Sequence, residues 1–495
     1  MESKLDSTID NKSTTTKLKK NKPQPLYEGV LLLTIKIILF RFLWAKMNFF
    51  LSLGAFFSVI YVYHLIIYYV FNLTALCGYD KVFITTNPVG RYQILSLTRY
   101  KDFDVQKMYN FLIEKMIKNI PRLRTYMVKK FLEYYWFTDT FENIKNKLSV
   151  KILPKLKNYA AVEEYISSEM NVLIDIFNEL PWEMQIIPYG ENREGVVLLK
   201  TDHLLSDGLG LVSMDCVSSD KFSINTYPKI MQRLKGTSFL QEVYLHITAP
   251  FYGLYLFLTF AIYGIQDCPF KANKKPNSAK TLIAVSKEYK LADFQKFRKR
   301  ETVSFNDIML TVFSISMNNL LKSAPQYSSK NHLVIDLPVG RKAIPKRIEE
   351  VDVCNEASGV LCDIPFVQKP GDVHVVRRHM RRFFRPEAQL SVKLMADFFG
   401  NLLPWQLLIY GTKMFNQRFD FMFTNVPGPA EPLVYHGTEM IDMMTFPRAG
   451  GGLPFVTILS YTDHFKFVVS ANENSDWDVK ILLEELENVI KMFII

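Results

Sequence analysis

Between Met47 and Cys77 the chain carries no Asp, Glu, Lys or Arg. An uncharged run of that length exceeds the roughly 20 residues that a bilayer-crossing helix needs. Its clustered Phe and Tyr suit a helix whose flanks meet a membrane interface. A buried core helix is the other structure with such a composition, but a helix apolar on all sides and this long is the pattern of a lipid-facing segment. His64, inside the run, reads as an interfacial or packing residue. The preceding apolar segment, Leu26 to Leu43, is interrupted by Lys36 and ends near Arg41 and Lys46. That pattern suits an interfacial helix or a short, imperfect span. Residues 1–25 are rich in Lys, Ser, Thr, Asn and Asp and lack apolar periodicity, so they read as a disordered basic tail, unlike a secretory leader.

Beyond Asp80 the composition becomes globular. At 495 residues, 48% hydrophobic and 14% aromatic, the chain can bury two full cores and is richer in apolar side chains than a purely soluble protein. The formal charge of +11 points to an anionic partner class: nucleic acid, anionic lipid or a phosphorylated co-substrate. The five cysteines are scattered with no Cys-x-x-Cys pair, which implies reduced thiols on a cytosol-facing body and no structural zinc. The expected division is a membrane-anchoring region over 26–79, a first body over 80–235, a linker over 236–280 and a second body over 281–495. The linker holds a second uncharged run, Leu245 to Gln266, with Pro250 and Gly253. A crossing there would place the two bodies on opposite sides of the bilayer, so it reads as a surface-lying or dipping helix.

Local patterns place the elements. Tyr109 to Ile120 and Asn158 to Phe177 read as amphipathic helices. Leu180 to Ile187 reads as a strand turning back through Tyr189 to Glu194 into the apolar strand Gly195 to Lys200. In the second body, Ser304 with Asp307 makes a capping box that opens a core helix. His332 to Val339, Phe421 to Asn425, Phe455 to Tyr461 and Phe465 to Ala471 read as strands, and Val479 to Phe493 as an amphipathic helix. Arg377, Arg378, Arg381, Arg382 and Arg385 read as a solvated helix face, with CoA or lipid phosphate next and nucleic acid last. Gly450 to Gly452 lacks the lysine of a phosphate loop.

The chemistry concentrates at Asp202-His203-Leu204-Leu205-Ser206-Asp207-Gly208. A histidine is the side chain whose resting pKa suits proton removal near neutral pH. At the end of a buried strand it occupies a strand-to-helix loop, where scaffolds place reactive groups. Gly208 permits a tight turn and Asp207 can brace the loop. Alone, His-x-x-x-Asp-Gly is a weak signal, since a loop histidine is more often structural than catalytic.

Other stretches accompany it: Pro121-Arg122-Leu123-Arg124, Leu180-Pro181-Trp182-Glu183, Asn306-Asp307 with its apolar helix, Pro338-Val339-Gly340-Arg341, and Thr424-Asn425-Val426-Pro427-Gly428-Pro429. In this order and spacing, from about residue 80 to the C-terminus, the chain resembles the wax ester synthase/diacylglycerol acyltransferase family of acyl-CoA O-acyltransferases, within the CoA-dependent acyltransferase superfamily. The uncharged linker resembles that of plant-type members. The resemblance implies an α/β fold of two chloramphenicol-acetyltransferase-like bodies with a tunnel between them, joined to the N-terminal membrane helix or helices. It implies acyl-CoA as co-substrate, no bound cofactor or metal, and a fatty alcohol or diacylglycerol as acceptor. His203 is then the general base, with no covalent enzyme intermediate. Asp207 is structural, pairing with an arginine such as Arg341. Asn306 and Asp307 lie near the site from the second body, and Asn425, Pro427 and Gly428 shape a loop at the seam.

One departure stands out. The family's motif carries two adjacent histidines, and Asp202 replaces the first. On an extended segment it points away from its neighbour; were it to approach His203, it would raise the imidazole pKa. The products expected are wax ester or triacylglycerol, made at an endoplasmic reticulum membrane or lipid droplet by a body facing the cytosol, without nucleic-acid binding. The rival reading is a non-catalytic membrane scaffold that keeps the fold, motivated by Asp202 and the long N-terminal extension. Condensation chemistry on a carrier-protein thioester is a third, with no carrier module in the chain to support it.

Overall fold

Apolar, β-branched stretches bounded by turns fold as strands throughout, in a computed structural model that describes residues 26–84, 90–228, 238–262, 268–271, 280–327, 329–340, 344–448 and 452–494. The basic tail, Arg341, Gly450 and Gly451, and most of the polar linker before residue 280 lie outside the described residues. In chain order the first half supplies β1 (Thr74–Ala75), β2 (Gln93–Tyr100), β3 (Thr125–Lys130), β4 (Glu133–Thr138), β5 (Val150–Ile152), β6 (Trp182–Tyr189) and β7 (Glu194–Asp202). The second half supplies β8 (Thr281–Val285), β9 (Tyr289–Lys290), β10 (His332–Val339), β11 (Ser358–Pro365), β12 (Phe421–Val426), β13 (Val434–Tyr435), β14 (Thr438–Pro447), β15 (Phe455–Tyr461) and β16 (His464–Asn472).

These strands build two α/β bodies. A six-stranded sheet runs β13-β14-β2-β7-β6-β5, and a seven-stranded sheet runs β11-β10-β12-β15-β16-β8 with β9 paired to β16. A third, small sheet, β1-β4-β3, stands beside the first. The hairpin β6–β7 is the one expected from its turn, with Trp182 opposite Thr201. The expected split into consecutive blocks meets an exchange of strands. β14 pairs antiparallel with β2, setting Met444 against Leu97 and Thr445 against Ser96, so a segment from the C-terminal range completes the first sheet. Periodicity reports which face of a strand is buried, and carries no record of which distant strand it pairs with.

Two expected helices end early for visible reasons. The segment Asn158 to Phe177 is helical only over Tyr159–Glu169. Beyond it, Asn171 exchanges hydrogen bonds with Thr281 on the edge strand of the second sheet, and the Ile174 carbonyl accepts from Arg91. The arginine-rich helix stops at Met380, where His379 and Arg382 turn onto the Asp363 carboxylate at 2.8 and 2.6 Å. His379 and Arg382 thus join an ion-pair network against β11, while Arg378, Arg381 and Arg385 stay exposed on the solvated face that was expected.

A layer of helices lies along one side. Helix α1 (Leu26–Trp44) and helix α2 (Phe49–Phe71) are the two N-terminal apolar segments. Lys36, the charge that interrupts the first, reaches Glu133 of β4 at 3.6 Å and the Leu402 carbonyl at 3.3 Å. It therefore faces protein. By length and composition, α2 is the one described helix long and apolar enough to cross a membrane, and it leaves Phe50 82% and Tyr69 77% exposed. The linker helix, Phe239–Ile262, packs one face on helix Pro386–Leu402, where a Cβ on Gly253 would come within 2.8 Å of the Ser391 Cβ. Its other face leaves Phe251, Ile247 and Leu258 exposed. Phe57 of α2 meets Phe398 of helix Pro386–Leu402 with ring centroids 5.8 Å apart.

That same helix crosses a short one, α3 (Gly78–Phe83), at a contact between glycines. A Cβ on Gly78 would lie 1.9 Å from the Ala396 carbonyl oxygen, and one on Gly400 would lie 2.2 Å from the Gly78 Cα. Lys81 donates to the Gly400 carbonyl at 2.8 Å, and the Gly78 amide donates to Asp397 at 3.3 Å. Backbone stands on both sides of the crossing, so a side chain there must move a helix. Gly78→Ala or Gly400→Ala should destabilise the fold by about 1–3 kcal/mol, read as a lowered melting temperature, while Gly411→Ala, with nothing within 4 Å of its added methyl, should not.

Candidate functional site

β7 is held on both sides, by β2 and β6, to its last residue: Gln93 faces Asp202 and Thr201 faces Trp182. The chain then leaves the sheet, and the next residue is His203. Its backbone amide still donates to the Tyr92 carbonyl at 2.9 Å. Its ring stacks on Phe83 of α3, with centroids 4.2 Å apart and planes 22° from parallel. The Nδ1 atom is buried and has no hydrogen-bond partner among the described residues. Burial holds the His203 pKa below the ordinary histidine value, with the Asp207 charge the main opposing influence. The imidazole is thus neutral near pH 7, the form that accepts a proton.

Asp202 turns the other way. It is 0% exposed, and its Oδ2 accepts from Arg91 Nε at 2.9 Å and Nη2 at 2.7 Å. Its Oδ1 takes the Leu204 amide at 3.0 Å. Arg448, also buried, donates to the Arg91 carbonyl. Two buried cations therefore stand behind β7, and burial together with the nearby Arg91 charge lowers the Arg448 pKa to about 10. A carboxylate at position 202 answers that charge, which an imidazole would not.

The turn after His203 leaves carbonyl oxygens that the sheet no longer satisfies, and buried carbonyls need donors. Asn355, from the loop before β11, donates to the His203 carbonyl at 2.8 Å and to Asp80 at 3.0 Å. Arg122 donates to the Leu205 carbonyl at 3.1 Å and pairs with Asp80 at 3.2 Å. Trp136 Nε1 completes the Asp80 shell at 2.9 Å. Asp207 caps the helix Gly208–Ser218 through the Gly210 amide at 2.7 Å. Its other oxygen accepts the amides of Glu356 and Ala357 at 2.7 and 2.8 Å. The brace expected at Asp207 is thus made of backbone amides, two of them from across the seam. Its expected arginine, Arg341, lies outside the described residues.

Of the remaining sequence-predicted residues, Gly208, Asn425, Pro427 and Gly428 gather where Val426 meets the first body, whereas Asp307 bonds at the start of its own helix. Asn425 at the end of β12 donates to the side-chain oxygen of Asn306. Asp307 and Ser304 form the capping box. Gly208 lies against Val426, where a Cβ would come 3.1 Å from Cγ2, and Gly428 lies against the Ser460 carbonyl, where a Cβ would come within 1.8 Å. Pro427 sits between these contacts, and Ala430 ties the loop to the first body by donating to the Thr226 carbonyl at 2.9 Å. Sequence reasoning missed Asp80, Phe83, Arg91, Tyr92 and Asn355. Arg122 was marked only as part of a motif. All five cysteines are free. Asp352, Cys354 and Glu356 bring ligand-type atoms within 4.8 Å of one another, on a loop where Asp352 accepts the Cys354 amide.

Comparison with known proteins agrees with this architecture. The profile of the WS/DGAT C-terminal domain matches residues 354–493. O-acyltransferase WSD of Acinetobacter baylyi is 25% identical over 233 residues, which cover 45% of this chain and 48% of that protein. The alignment thus spans about half the length of that curated relative. Among solved structures, the wax ester synthase/diacylglycerol acyltransferase of Marinobacter aquaeolei VT8 superposes with TM-score 0.56 at 16% identity, over 85% of this chain and 98% of that one. The TRI3 trichothecene 15-O-acetyltransferase of Fusarium sporotrichioides gives 0.60 at 11%, over 86% and 95%. The starter condensation domain of rhizomide synthetase RzmA, solved with C8-CoA, gives 0.54 at 10%, over 85% and 94%. At these identities the likeness is one of fold.

Removing one partner of a buried ion pair strands the other. Asp202→Ala should therefore cost about 3–5 kcal/mol in denaturant unfolding, and the double variant Arg91→Ala/Asp202→Ala should cost clearly less than the two single changes added together.

Proposed function

From the match of residues 354–493 to the WS/DGAT C-terminal domain, we propose an acyl-CoA-dependent O-acyltransferase that esterifies a long-chain alcohol or diacylglycerol, giving wax ester or triacylglycerol. The observation that carries it is a half-buried imidazole whose buried Nδ1 has no partner among the described residues, at the meeting of the two bodies, and whose pKa is lowered by burial. His203 takes the proton of the acceptor hydroxyl as that oxygen attacks the acyl thioester carbonyl. The C–O bond forms, the C–S bond breaks, and the imidazolium returns the proton to the departing CoA thiolate. Asp207 lies close enough to favour the transient imidazolium, and Phe83 fixes the ring plane. Acyl-CoA and acceptor meet in a tunnel along the seam. The scaffold reading drew on Asp202 and the long N-terminal extension, and the ion pair with Arg91 gives Asp202 a structural role that leaves a catalytic His203 open.

The exposed apolar faces of α2 and the linker helix support a membrane seating, joined through helix Pro386–Leu402. Both lipid substrates partition into a bilayer, and acyl-CoA is held on the cytosolic side, so the body belongs on the cytosolic face of the endoplasmic reticulum or of a lipid droplet. Protease added to sealed microsomes should cut the chain beyond residue 80; full protection would overturn that orientation.

Purified His203→Ala, supplied with palmitoyl-CoA and hexadecanol or diolein, should lose about 10² to 10⁴-fold in turnover at an unchanged melting temperature. Near-normal turnover by that folded variant would refute the base assignment. Because burial lowers the His203 pKa, the imidazole stays neutral down to that depressed value. The acid limb of kcat/KM should accordingly fall below pH 6.5, the ordinary value. Asp207→Asn removes the main influence that raises this pKa and should move the limb to still lower pH.

A further inference from the structure

We propose that Asp336, with the hydroxyls of Tyr79 and Tyr92, forms a polar subsite beside His203 that receives a hydrogen-bond donor from the acceptor, so that the favoured acceptor carries a second free hydroxyl next to the one acylated. The inference rests on the reading of the chain as an alcohol acyltransferase and, among alcohol acceptors, favours vicinal diols over the mono-alcohols and diacylglycerols that carry a single free hydroxyl.

Asp336 interrupts an apolar strand. Its neighbours Leu333, Val334, Ile335 and Leu337 on β10 are all buried, and it lies between Leu361 of β11 and Met422 of β12. Its Oδ1 is buried and has no hydrogen-bond partner among the described residues. The space it occupies is kept open by Gly359, where a Cβ would come within 2.6 Å of Oδ1. The Gly359 amide donates instead to the Tyr79 hydroxyl at 2.8 Å. Gly359 thus stands against both the Asp336 carboxyl and the Tyr79 hydroxyl, the Tyr92 hydroxyl accepts from Asn416, and after burial the Asp336 charge is the strongest influence raising the pKa of both phenols. Burial pushes the Asp336 carboxyl itself up to about 7. Tyr92 joins this cluster to the proposed base, since its carbonyl takes the His203 amide. Its ring packs with Phe83, Met422 and Phe455.

A buried carboxyl oxygen without a partner is costly, and the proposed acyl transfer makes no use of it. A partner supplied by substrate accounts for both facts. The hydrocarbon of a fatty acyl group has no donor to give, whereas an alcohol with an adjacent hydroxyl, as in a 1,2-diol or a monoacylglycerol, brings one to the reacting oxygen. A site built to receive a substrate hydroxyl rejects the analogue that lacks it, because the protein group is then left unpaired.

The test uses the full-length protein in detergent micelles with palmitoyl-CoA, comparing 1,2-hexadecanediol with 1-hexadecanol. The wild type should favour the diol in kcat/KM by about tenfold or more. In Asp336→Leu that ratio should collapse toward one, through a raised KM for the diol, while Asp336→Asn, which keeps an acceptor oxygen, should retain most of it. Leu also removes the unpaired carboxyl, so its melting temperature should hold or rise, separating loss of the subsite from loss of fold. Turnover of both alcohols at equal efficiency by the wild type would overturn the inference and leave the acyltransferase reading intact. So would a ratio unchanged in Asp336→Leu, or an effect confined to the KM of acyl-CoA, which would assign the carboxyl to the pantetheine amides. Absence of ester from both alcohols would overturn the acyltransferase reading itself.

Discussion

Where β7 ends, three successive carbonyl groups turn away from the sheet, and everything around the site follows from satisfying them. Asn355 and Arg122 supply the donors, and Asp80 sits between those two side chains as the shared acceptor. Hydrogen bonds that involve a charged group are stronger than neutral ones, so this buried network fixes the backbone of His203 to Leu205 more firmly than a surface loop is held. The imidazole then needs only its stacking on Phe83 to be oriented. Donors arrive from both bodies, since Asn355 and the amides of Glu356 and Ala357 belong to the segment entering β11. The geometry of His203 is therefore a property of the seam between the bodies.

Much of this was legible where the signal is local. The hairpin of β6 and β7 shows in its turn and its apolar run, and the histidine at its end shows in the change of composition. The capping box at Ser304 is written in four consecutive residues. What could not be read is chemistry whose partners are far apart in sequence. Asp80 and Asn355 lie 275 residues from each other, and neither belongs to a spaced motif. Asp202 was visible as a departure, but its cause is Arg91, which is 111 residues away. Asp336 falls inside a strand whose β-branched neighbours dominate the pattern, and only the orphaned oxygen and the glycine opposite it make the residue conspicuous.

The exchange of β14 into the first sheet follows the same logic. Its buried Met440, Met443, Met444 and Phe446 identify a strand with an apolar face, and either sheet could have accepted it. Pairing with β2 places a segment of the C-terminal range two strands from His203, so the two bodies cannot part without breaking a ladder. That covalent crossover keeps the seam closed around its network of carbonyls. In the helix layer, Lys36 shows how a charge within an apolar segment can be answered from the protein side by Glu133.

Helix α3 is a short route between the helix layer and His203. Gly78 at its start lies against helix Pro386–Leu402, and Phe83 at its end lies against the His203 ring. With six residues and a rise of about 1.5 Å each, it bridges only about 9 Å. With the layer seated in a leaflet, a lipid acceptor has so short a distance to travel that its head can reach the imidazole while its tail stays dissolved among its neighbours. On the proposed function, an ester formed there need never pass through water, its synthesis set at the wall of its own solvent.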